Sequence, residues 1–222
     1  MRVISGDVIE SNNFVHPFTC LITGSTGVGK TFFVEQLIKS CRISNLEQFS
    51  RIYYFFPSEL ETAPVDWDDE FEDLEVSFHC ELPDASFFKT VQKDSLIVFD
   101  DDWYNLTKYD EFSKAFRVYA RKYKFSCIAI SQSYYEGQKH GKSIRNNCDI
   151  HVLMKNYGDS TINLRAARSL GYESAFREAS KEAYESTHGY VIIFAGPKVK
   201  NNKLRVQTNF FDLHNNFCYY QK

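Results

Sequence analysis

The sequence predicts an α/β fold built on a mainly parallel sheet. Short apolar runs that suit buried strands alternate with longer segments whose apolar residues recur at helical spacing. This alternation is typical of strand–helix–strand units, which join parallel strands of one sheet. Hydrophobic residues make up 43% of the 222 residues and charged residues 25%, as in ordinary globular domains. We expect an irregular lead-in at 1–16 and a single domain at 17–222.

The first half of the chain is predicted to contain four strands and three helices. The apolar run at 18–23 stops at a glycine, the segment 31–41 has apolar residues three and four apart, and the run at 51–56 is closed by a proline. The other elements are a strand at 75–80, a helix at 84–93, a strand at 95–99 and a helix at 107–122. We interpret the acidic stretch 58–75 between them as a surface loop.

The second half continues the same alternation. The apolar run at 125–130 is predicted to be a buried strand that ends in Ser131-Gln132. The further elements are strands at 149–154, 190–195 and 204–211 and helices at 160–169 and 172–185. Strands and helices therefore alternate over most of the chain.

Composition argues against several classes of protein. Six cysteines are scattered without C-x-x-C spacing, which argues against a zinc site and suits a reducing compartment. No run approaches 18 apolar residues, and the first residues lack the apolar core of a secretory signal, so we expect no membrane span and no export. The net charge of -3 does not indicate a nucleic-acid-binding protein, although a chain with this net charge can still have a local basic surface.

Residues 24–31 match the phosphate-binding pattern G-x-x-x-x-G-K-[ST], known as the P-loop. Its glycines let the backbone N–H groups surround a phosphate chain, and the helix that follows directs its positive end at the same anion. We expect Lys30 to reach the β and γ phosphates of ATP and the Thr31 hydroxyl to ligate Mg²⁺. The predicted ATP-binding residues are Gly24, Ser25, Thr26, Gly27, Val28, Gly29, Lys30 and Thr31.

A second metal ligand is predicted at the end of the strand 95–99, where three aspartates follow four apolar residues. Open parallel sheets bind ligands at the carboxyl ends of their strands, so we assign Asp100 to Mg²⁺. Asp101 comes next and is the candidate base or water-positioning residue. Asp102 is expected to cap the segment that follows.

Three more residues are candidates for catalysis. Gln132 ends the strand 125–130 and could sense the γ-phosphate or hold the attacking water. A positive charge is also expected in such a site, and Arg121 and Arg145 are the candidates. Neither arginine is expected to reach its own chain's phosphates, although each could reach those of a neighbouring subunit in a ring.

Four segments together resemble one family. GSTGVGKT, SLIVFDDDW, ARKYKFSCIAISQS and IRNNCDIHVLM occur in the order and spacing of the FtsK-HerA group of DNA-pumping ATPases. The resemblance is greatest to the viral genome-packaging branch of that group, which includes poxvirus-type packaging ATPases and those of virophages and Polinton-like elements. It covers residues 17–155, and the segment beyond 155 shows little likeness.

The resemblance implies a P-loop NTPase with a RecA-like core that forms a homo-oligomeric ring and drives double-stranded DNA into a preformed capsid. The implied partners are DNA and capsid or portal-vertex proteins, in the virion or at the host-cell site of virus assembly. Lys30 and Thr31 carry over to the phosphate and metal roles, and Asp100 to Mg²⁺. Gln132 and Arg121 match the family's glutamine and trans-acting arginine, which places Arg121 ahead of Arg145.

One position departs from the family pattern. Many members place Glu after the metal-binding Asp, whereas this chain has Asp101, whose shorter side chain would have to act through water. Other functions stay open, namely an ATPase for virion assembly or extrusion, a small P-loop kinase and a nucleotide-gated scaffold. We look for DNA contacts among Lys139, Lys142, Lys155, Lys198 and Lys200.

Overall fold

A computed structural model describes residues 2–4, 12–40, 43–60, 63, 65, 67, 71, 74–199, 201–212 and 216–219. Its strands are β1 (Arg2–Ile4), β2 (Phe14–Val15), β3 (Thr19–Thr23), β4 (Ile43–Ser44), β5 (Ile52–Phe55), β6 (Val76–His79), β7 (Leu96–Phe99), β8 (Ser126–Ser131), β9 (Ile150–Met154), β10 (Tyr190–Phe194), β11 (Val206–Thr208) and β12 (Phe217–Tyr219). Much of the acidic stretch 58–75 lies outside the described residues, as does Lys200.

The helices lie between these strands. They are α1 (Lys30–Lys39), α2 (Phe87–Thr90), α3 (Trp103–Leu106), α4 (Asp110–Lys114), α5 (Ala120–Tyr123), α6 (Gly141–Asn147), α7 (Ile162–Ser169) and α8 (Glu173–Ala183). A π-helical segment, Ala115–Tyr119, joins α4 to α5, and a 3₁₀ turn covers Asn202–Leu204. The predicted helix at 107–122 is thus an interrupted one, and α6 and β12 were not predicted.

Ten strands of the described residues form one sheet in the order β1-β12-β11-β10-β9-β3-β8-β7-β5-β6. The strands from β9 to β6 run parallel, which confirms the predicted mainly parallel sheet. The strands from β10 to β1 pair antiparallel with their neighbours and extend the sheet on one side. The segments 195–205 and 209–216, which join β10 to β11 and β11 to β12, are shorter than the crossover of about a dozen residues or more that a parallel pair needs.

The irregular lead-in expected at 1–16 is wrong where the structure describes that segment. Strand β1 pairs antiparallel with β12, with Arg2 opposite Tyr219, and β2 pairs parallel with β4. The partner of β1 lies more than 200 residues away, so no local pattern in the sequence announces the pairing. Residues 5–11 lie outside the described part of the chain.

The sheet has a hydrophobic layer on each face. Helix α1 covers one face, where Phe33 and Leu37 pack in the same cluster as Val98 of β7. The helices from α4 to α8 cover the other, where Phe112 and Phe176 belong to the cluster of Phe99. Neighbouring residues of β7 alternate between the two layers, as the strand period requires. Burial on both faces explains why the central strands are continuous apolar runs.

Within the described residues, no helix combines the length and the apolar character that crossing a membrane would require.

A buried histidine makes stability depend on pH. His151 is the second residue of β9, opposite Leu21 and Ile193, and the hydroxyl of Tyr134 is 3.3 Å from its Nδ1 atom. Burial lowers the pKa of His151 to about 3. Above pH 6.5 both folded and unfolded chains are neutral here. Below pH 6.5 His151 becomes protonated in the unfolded chain but stays neutral in the folded chain. The free energy of unfolding therefore decreases as the pH is lowered.

We therefore predict that His151→Gln flattens the pH dependence of stability between pH 6 and 4. The glutamine amide can still pair with Tyr134 but takes up no proton, so the slope should fall by about 1.4 kcal/mol per pH unit. Urea unfolding at several pH values, with the parent chain as control, measures both slopes. Parallel curves for the parent and the variant would contradict the assignment.

Candidate nucleotide site

The predicted phosphate loop lies at the carboxyl edge of the sheet, between the end of β3 and the start of α1. Gly27 and Gly29 have φ values of 79° and 91°, a backbone region that other residues rarely adopt. The loop is also tied to its neighbours, because Gly24 N donates to Ser131 O at 3.3 Å and Ser25 N to Lys155 O at 3.2 Å. The ends of β8 and β9 thereby fix its position.

The amine of Lys30 is folded back onto the loop. Its Nζ atom donates to Gly24 O at 2.9 Å and to Ser25 O at 3.0 Å, and the residue is only 9% exposed. Burial lowers the pKa of Lys30, while the nearby Asp101 and Asp100 carboxylates raise it. The amine therefore lies inside the loop, where a phosphate oxygen could replace the backbone carbonyls as its hydrogen-bond acceptor.

The predicted metal ligands Asp100 and Thr31 lie next to each other. The Thr31 hydroxyl donates to Asp100 Oδ2 at 3.3 Å, and Asp100 is 6% exposed at the end of β7. Burial raises the pKa of Asp100, and a hydrogen bond from the Tyr54 hydroxyl to the same oxygen opposes that shift. Burial and the Asp100 charge also raise the pKa of Tyr54, which keeps the phenol a donor.

Tyr54 was missed by sequence reasoning. It belongs to β5, which pairs with β7 so that Tyr54 lies opposite Val98. An interior tyrosine in a strand normally signals only packing. Its contact with Asp100 depends on the strand order, which the sequence does not show.

Asp101 and Gln132 are brought together by the adjacent strands β7 and β8. Gln132 Nε2 donates to Asp101 Oδ2 at 2.8 Å, and both residues are exposed. Asp101 has a φ of 53°, a left-handed conformation that aspartate tolerates better than most residues. This pair faces the solvent beside the buried Asp100, where an attacking water could be held.

A cleft of about 390 Å³ contains most of the predicted groups. Its lining residues are Thr26, Gly27, Gly29, Lys30, Thr31, Phe32, Pro57, Leu60, Asp100 and Asp101. The volume falls in the range of small-molecule sites. Phe32 and Leu60 are exposed apolar residues that could contact a nucleobase, whereas the Val28 side chain is buried in the core and contributes its backbone.

Magnesium fits the groups that meet at this edge. In the described part of the chain, no three His, Cys, Asp or Glu side chains converge as a complete metal cluster. Mg²⁺ does not need one, because it typically binds one or two protein oxygens, several waters and the substrate's phosphates. The contact between the Thr31 hydroxyl and the Asp100 carboxylate supplies protein oxygens of that kind.

His188 is a second residue that sequence reasoning missed. It lies in the loop between α8 and β10, and its Nδ1 atom is 3.2 Å from Val28 O. A Cβ atom built on Gly29 would lie 2.8 Å from the same nitrogen. The histidine thus packs directly against the phosphate loop. The part of the chain beyond 155 therefore contributes to the site, although it carried no recognisable motif.

Arg121 lies at the opposite end of the sheet from this cleft. Its Nη2 atom forms an ion pair with Asp149 Oδ1 at 2.9 Å, and Asp149 N donates to Thr19 O at the start of β3. The phosphate loop follows the other end of β3, about 17 Å away along a five-residue strand. The Arg121 side chain is 48% exposed, so it can face another molecule.

Arg145 packs against two tyrosines that follow β8. Its guanidinium lies 5.8 Å and 5.5 Å from the ring centres of Tyr134 and Tyr135, and Nη1 donates to Glu136 O at 3.4 Å. Burial lowers the pKa of Arg145. Together with Arg121 it lines a separate cavity of about 180 Å³. Neither arginine is among the residues that line the cleft of its own chain.

Among the lysines considered for DNA, those that the structure describes lie in different parts of it. Lys155 Nζ donates to Tyr184 O at 3.4 Å near the phosphate loop. Lys198 Nζ donates to Pro17 O, close to the start of β3. Lys139 and Lys142 are exposed, and Lys200 lies outside the described residues. The structure therefore assigns none of them to DNA.

Comparison with known proteins shows the fold. No protein-family model and no curated protein matches this chain. The crystal structure of B204, the DNA-packaging ATPase from Sulfolobus turreted icosahedral virus, has a TM-score of 0.52 and 15% identity over 83% of this chain and 94% of that one. B204 from Sulfolobus turreted icosahedral virus 2, a genome-packaging NTPase in complex with AMPPCP, has a TM-score of 0.50 and 16% identity over 81% and 93%.

The fold and the site together define the class of protein. The sheet is largely parallel and flanked by helices, the phosphate loop follows β3, and the structural neighbours are P-loop NTPases. The chain therefore has the P-loop NTPase fold.

We predict that Asp100 and Asp101 have different roles, the first in Mg²⁺ binding and the second in hydrolysis. Asp100→Asn should lose the Mg²⁺-dependent part of ATP binding, because the amide removes the charge that faces the ion. Asp101→Asn should bind Mg²⁺ and ATP nearly as tightly as the parent yet turn over about 10²-fold more slowly, because the general base is lost. Calorimetric binding with and without EDTA and a phosphate-release assay measure the two effects.

Asp102→Asn is the matched control. Asp102 accepts a hydrogen bond from Asn105 Nδ2 at 2.8 Å and is not among the cleft-lining residues, so its amide variant should resemble the parent. An equal loss of Mg²⁺-dependent binding in Asp100→Asn and Asp101→Asn would contradict the division of roles.

Proposed function

We propose that this chain is an ATP-hydrolysing motor that translocates double-stranded DNA and packages a viral genome into a preformed capsid. The observation that carries the ATPase part is the convergence of three strand ends at one edge. The phosphate loop, the Thr31–Asp100 contact and the Asp101–Gln132 pair follow β3, β7 and β8. Phosphoryl transfer needs such a cradle, a metal-side carboxylate and a group that orients the nucleophile.

Each side chain has a role that fits its contacts. The Lys30 amine, held on the carbonyls of Gly24 and Ser25, would donate to β- and γ-phosphate oxygens of ATP. Thr31 and Asp100 would hold Mg²⁺, which neutralises negative charge on the phosphates when bound. Asp101 keeps one oxygen on Gln132 Nε2, which leaves the other to accept a proton from water.

The DNA part of the proposal is supported by likeness. Four segments resemble the packaging branch of the FtsK-HerA group, and B204, whose fold this chain shares, is described as a DNA-packaging ATPase. We propose by analogy a homo-oligomeric ring that surrounds duplex DNA and docks on capsid or portal-vertex proteins. Its place would be the virion or the host-cell site of virus assembly, with residues 17–222 and strand β1 as one motor domain.

The DNA proposal is tested by ATP hydrolysis with and without duplex DNA. We expect duplex DNA to stimulate the parent chain several-fold, because a translocase couples turnover to its track. Lys30→Ala should show no turnover in either condition, which controls for contaminating ATPases. Lys39→Ala, an exposed lysine at the other end of α1, should behave as the parent does.

Other outcomes of this assay favour the alternative functions. Stimulation by single-stranded DNA or capsid protein, but not by duplex DNA, would favour an assembly or extrusion ATPase. Transfer of phosphate to a small acceptor would favour a kinase. Nucleotide binding without any turnover would favour a nucleotide-gated scaffold.

We also predict that Arg121 acts on the nucleotide of a neighbouring subunit. It is half exposed and lies at the end of the sheet away from its own Lys30, so a catalytic role requires a second copy. Arg121→Ala should bind ATP as the parent does but hydrolyse it about 10³-fold more slowly, as loss of an arginine finger does. Arg117→Ala, on the same helical stretch and also exposed, should keep near-parental turnover.

Mixed assemblies test the action in trans. Rings that contain both Arg121→Ala and Lys30→Ala subunits have some interfaces where an intact Lys30 faces an intact Arg121. Such mixtures should recover part of the activity that each variant lacks alone. No recovery in rings whose mixing is verified by mass would contradict the prediction, and full activity of Arg121→Ala alone would transfer the role to Arg145.

A further inference from the structure

The carboxylate of Asp100 is held from its buried side by a tyrosine. The hydroxyl of Tyr54 donates to Asp100 Oδ2, the same oxygen that the Thr31 hydroxyl reaches at 3.3 Å. Among the described residues, no hydrogen bond to the other oxygen, Oδ1, is formed. Two donors on one oxygen restrict the orientation of the carboxylate and leave Oδ1 available to a bound metal ion.

The two donor residues belong to different parts of the structure. Thr31 belongs to the phosphate loop and is itself a proposed metal ligand, so its hydroxyl responds to the nucleotide. Tyr54 belongs to the sheet, where it is 0% exposed and pairs with Val98 through the β5–β7 ladder. Its position therefore does not depend on whether the cleft is filled.

Packing restrains the Tyr54 ring as well. The ring of Trp67, itself 1% exposed, meets it edge-on with centroids 5.1 Å apart, and the ring of Phe78 lies at 5.8 Å. Both contacts belong to the core layer that also contains Phe33 of α1. A buried phenol that is fixed by aromatic neighbours can hold a carboxylate in one orientation, because neither group can turn without loss of packing.

We propose that Tyr54 is a positioning residue for the metal site, which orients Asp100 so that Mg²⁺ binds together with the nucleotide. The inference rests on the proposed function of the cleft and assigns the residue that supports its metal ligand. Groups that hydrogen-bond to metal ligands typically contribute 10- to 100-fold to metal affinity. Tyr54 touches neither substrate nor metal in this role and acts through Asp100 alone.

The test removes the hydroxyl and measures binding rather than turnover. Tyr54→Phe keeps the ring and its packing, so affinity for AMPPCP in EDTA should stay at the parental value. The Mg²⁺ concentration that gives half of the metal-dependent gain in AMPPCP affinity should rise by about 10-fold or more. Calorimetric titrations at a series of Mg²⁺ concentrations give both quantities, and thermal unfolding without ligand confirms that the variant is folded.

Tyr53→Phe is the matched control. Tyr53 is the preceding residue of β5 and packs in the core layer on the opposite face of the sheet, beside Phe87 and His79. This variant removes a phenolic hydroxyl from the same strand, at a position that does not contact Asp100. Its Mg²⁺ requirement should equal that of the parent.

Three results would overturn the proposal. The first is a Mg²⁺ requirement of Tyr54→Phe equal to that of Tyr53→Phe. The second is a loss of AMPPCP affinity in Tyr54→Phe that is as large in EDTA as in Mg²⁺. The third is a Tyr54→Phe chain that does not fold. The last two would make the hydroxyl a general structural element. Because the readout is binding, a parent chain that binds Mg²⁺ and AMPPCP but ignores DNA would refute the motor and leave the role of Tyr54 intact.

Discussion

Asp100 is a buried carboxylate at the end of a buried strand. Because it is buried, it needs hydrogen-bond partners within the protein. A buried charge costs several kcal/mol unless partners compensate for it. Here the hydroxyls of Thr31 and Tyr54 supply those partners, one from the phosphate loop and one from the sheet. The contact therefore ties α1 to β7 and β5. It leaves an electronegative position in the cleft that favours a bound cation, and Lys30 lies close by.

The sheet order explains how the other groups reach the same place. Strand β8 lies between β3 and β7, and all three run parallel, so their carboxyl ends meet at one edge. The phosphate loop, Gln132 and the aspartates follow these ends. The antiparallel extension takes part as well, because the loop before β10 returns His188 to Val28 and Gly29. The late part of the chain thus supports the loop that the early part forms.

Local signals predicted many residues of this candidate site, whereas contacts that depend on long-range strand pairing were not predicted. The glycine spacing identified the loop at 24–31, and an apolar run followed by aspartates placed Asp100 at a strand end. Parallel topology then brought Asp101 and Gln132 together. Tyr54 could not be predicted, because its contact depends on which strand pairs with β7. The strand at 2–4 was predicted to be irregular for a similar reason, since its partner lies at the far end of the chain.

The most direct test of this account is a crystal structure of the chain with AMPPCP and Mg²⁺. The account predicts the triphosphate on the backbone of residues 24–31 with the Lys30 amine on its terminal phosphates. It also predicts the ion beside the Thr31 hydroxyl and Asp100, with the Tyr54 hydroxyl still on the Asp100 carboxylate. An ion bound away from Asp100, or a nucleotide bound outside the cleft, would contradict the central claim that this sheet edge is the nucleotide site.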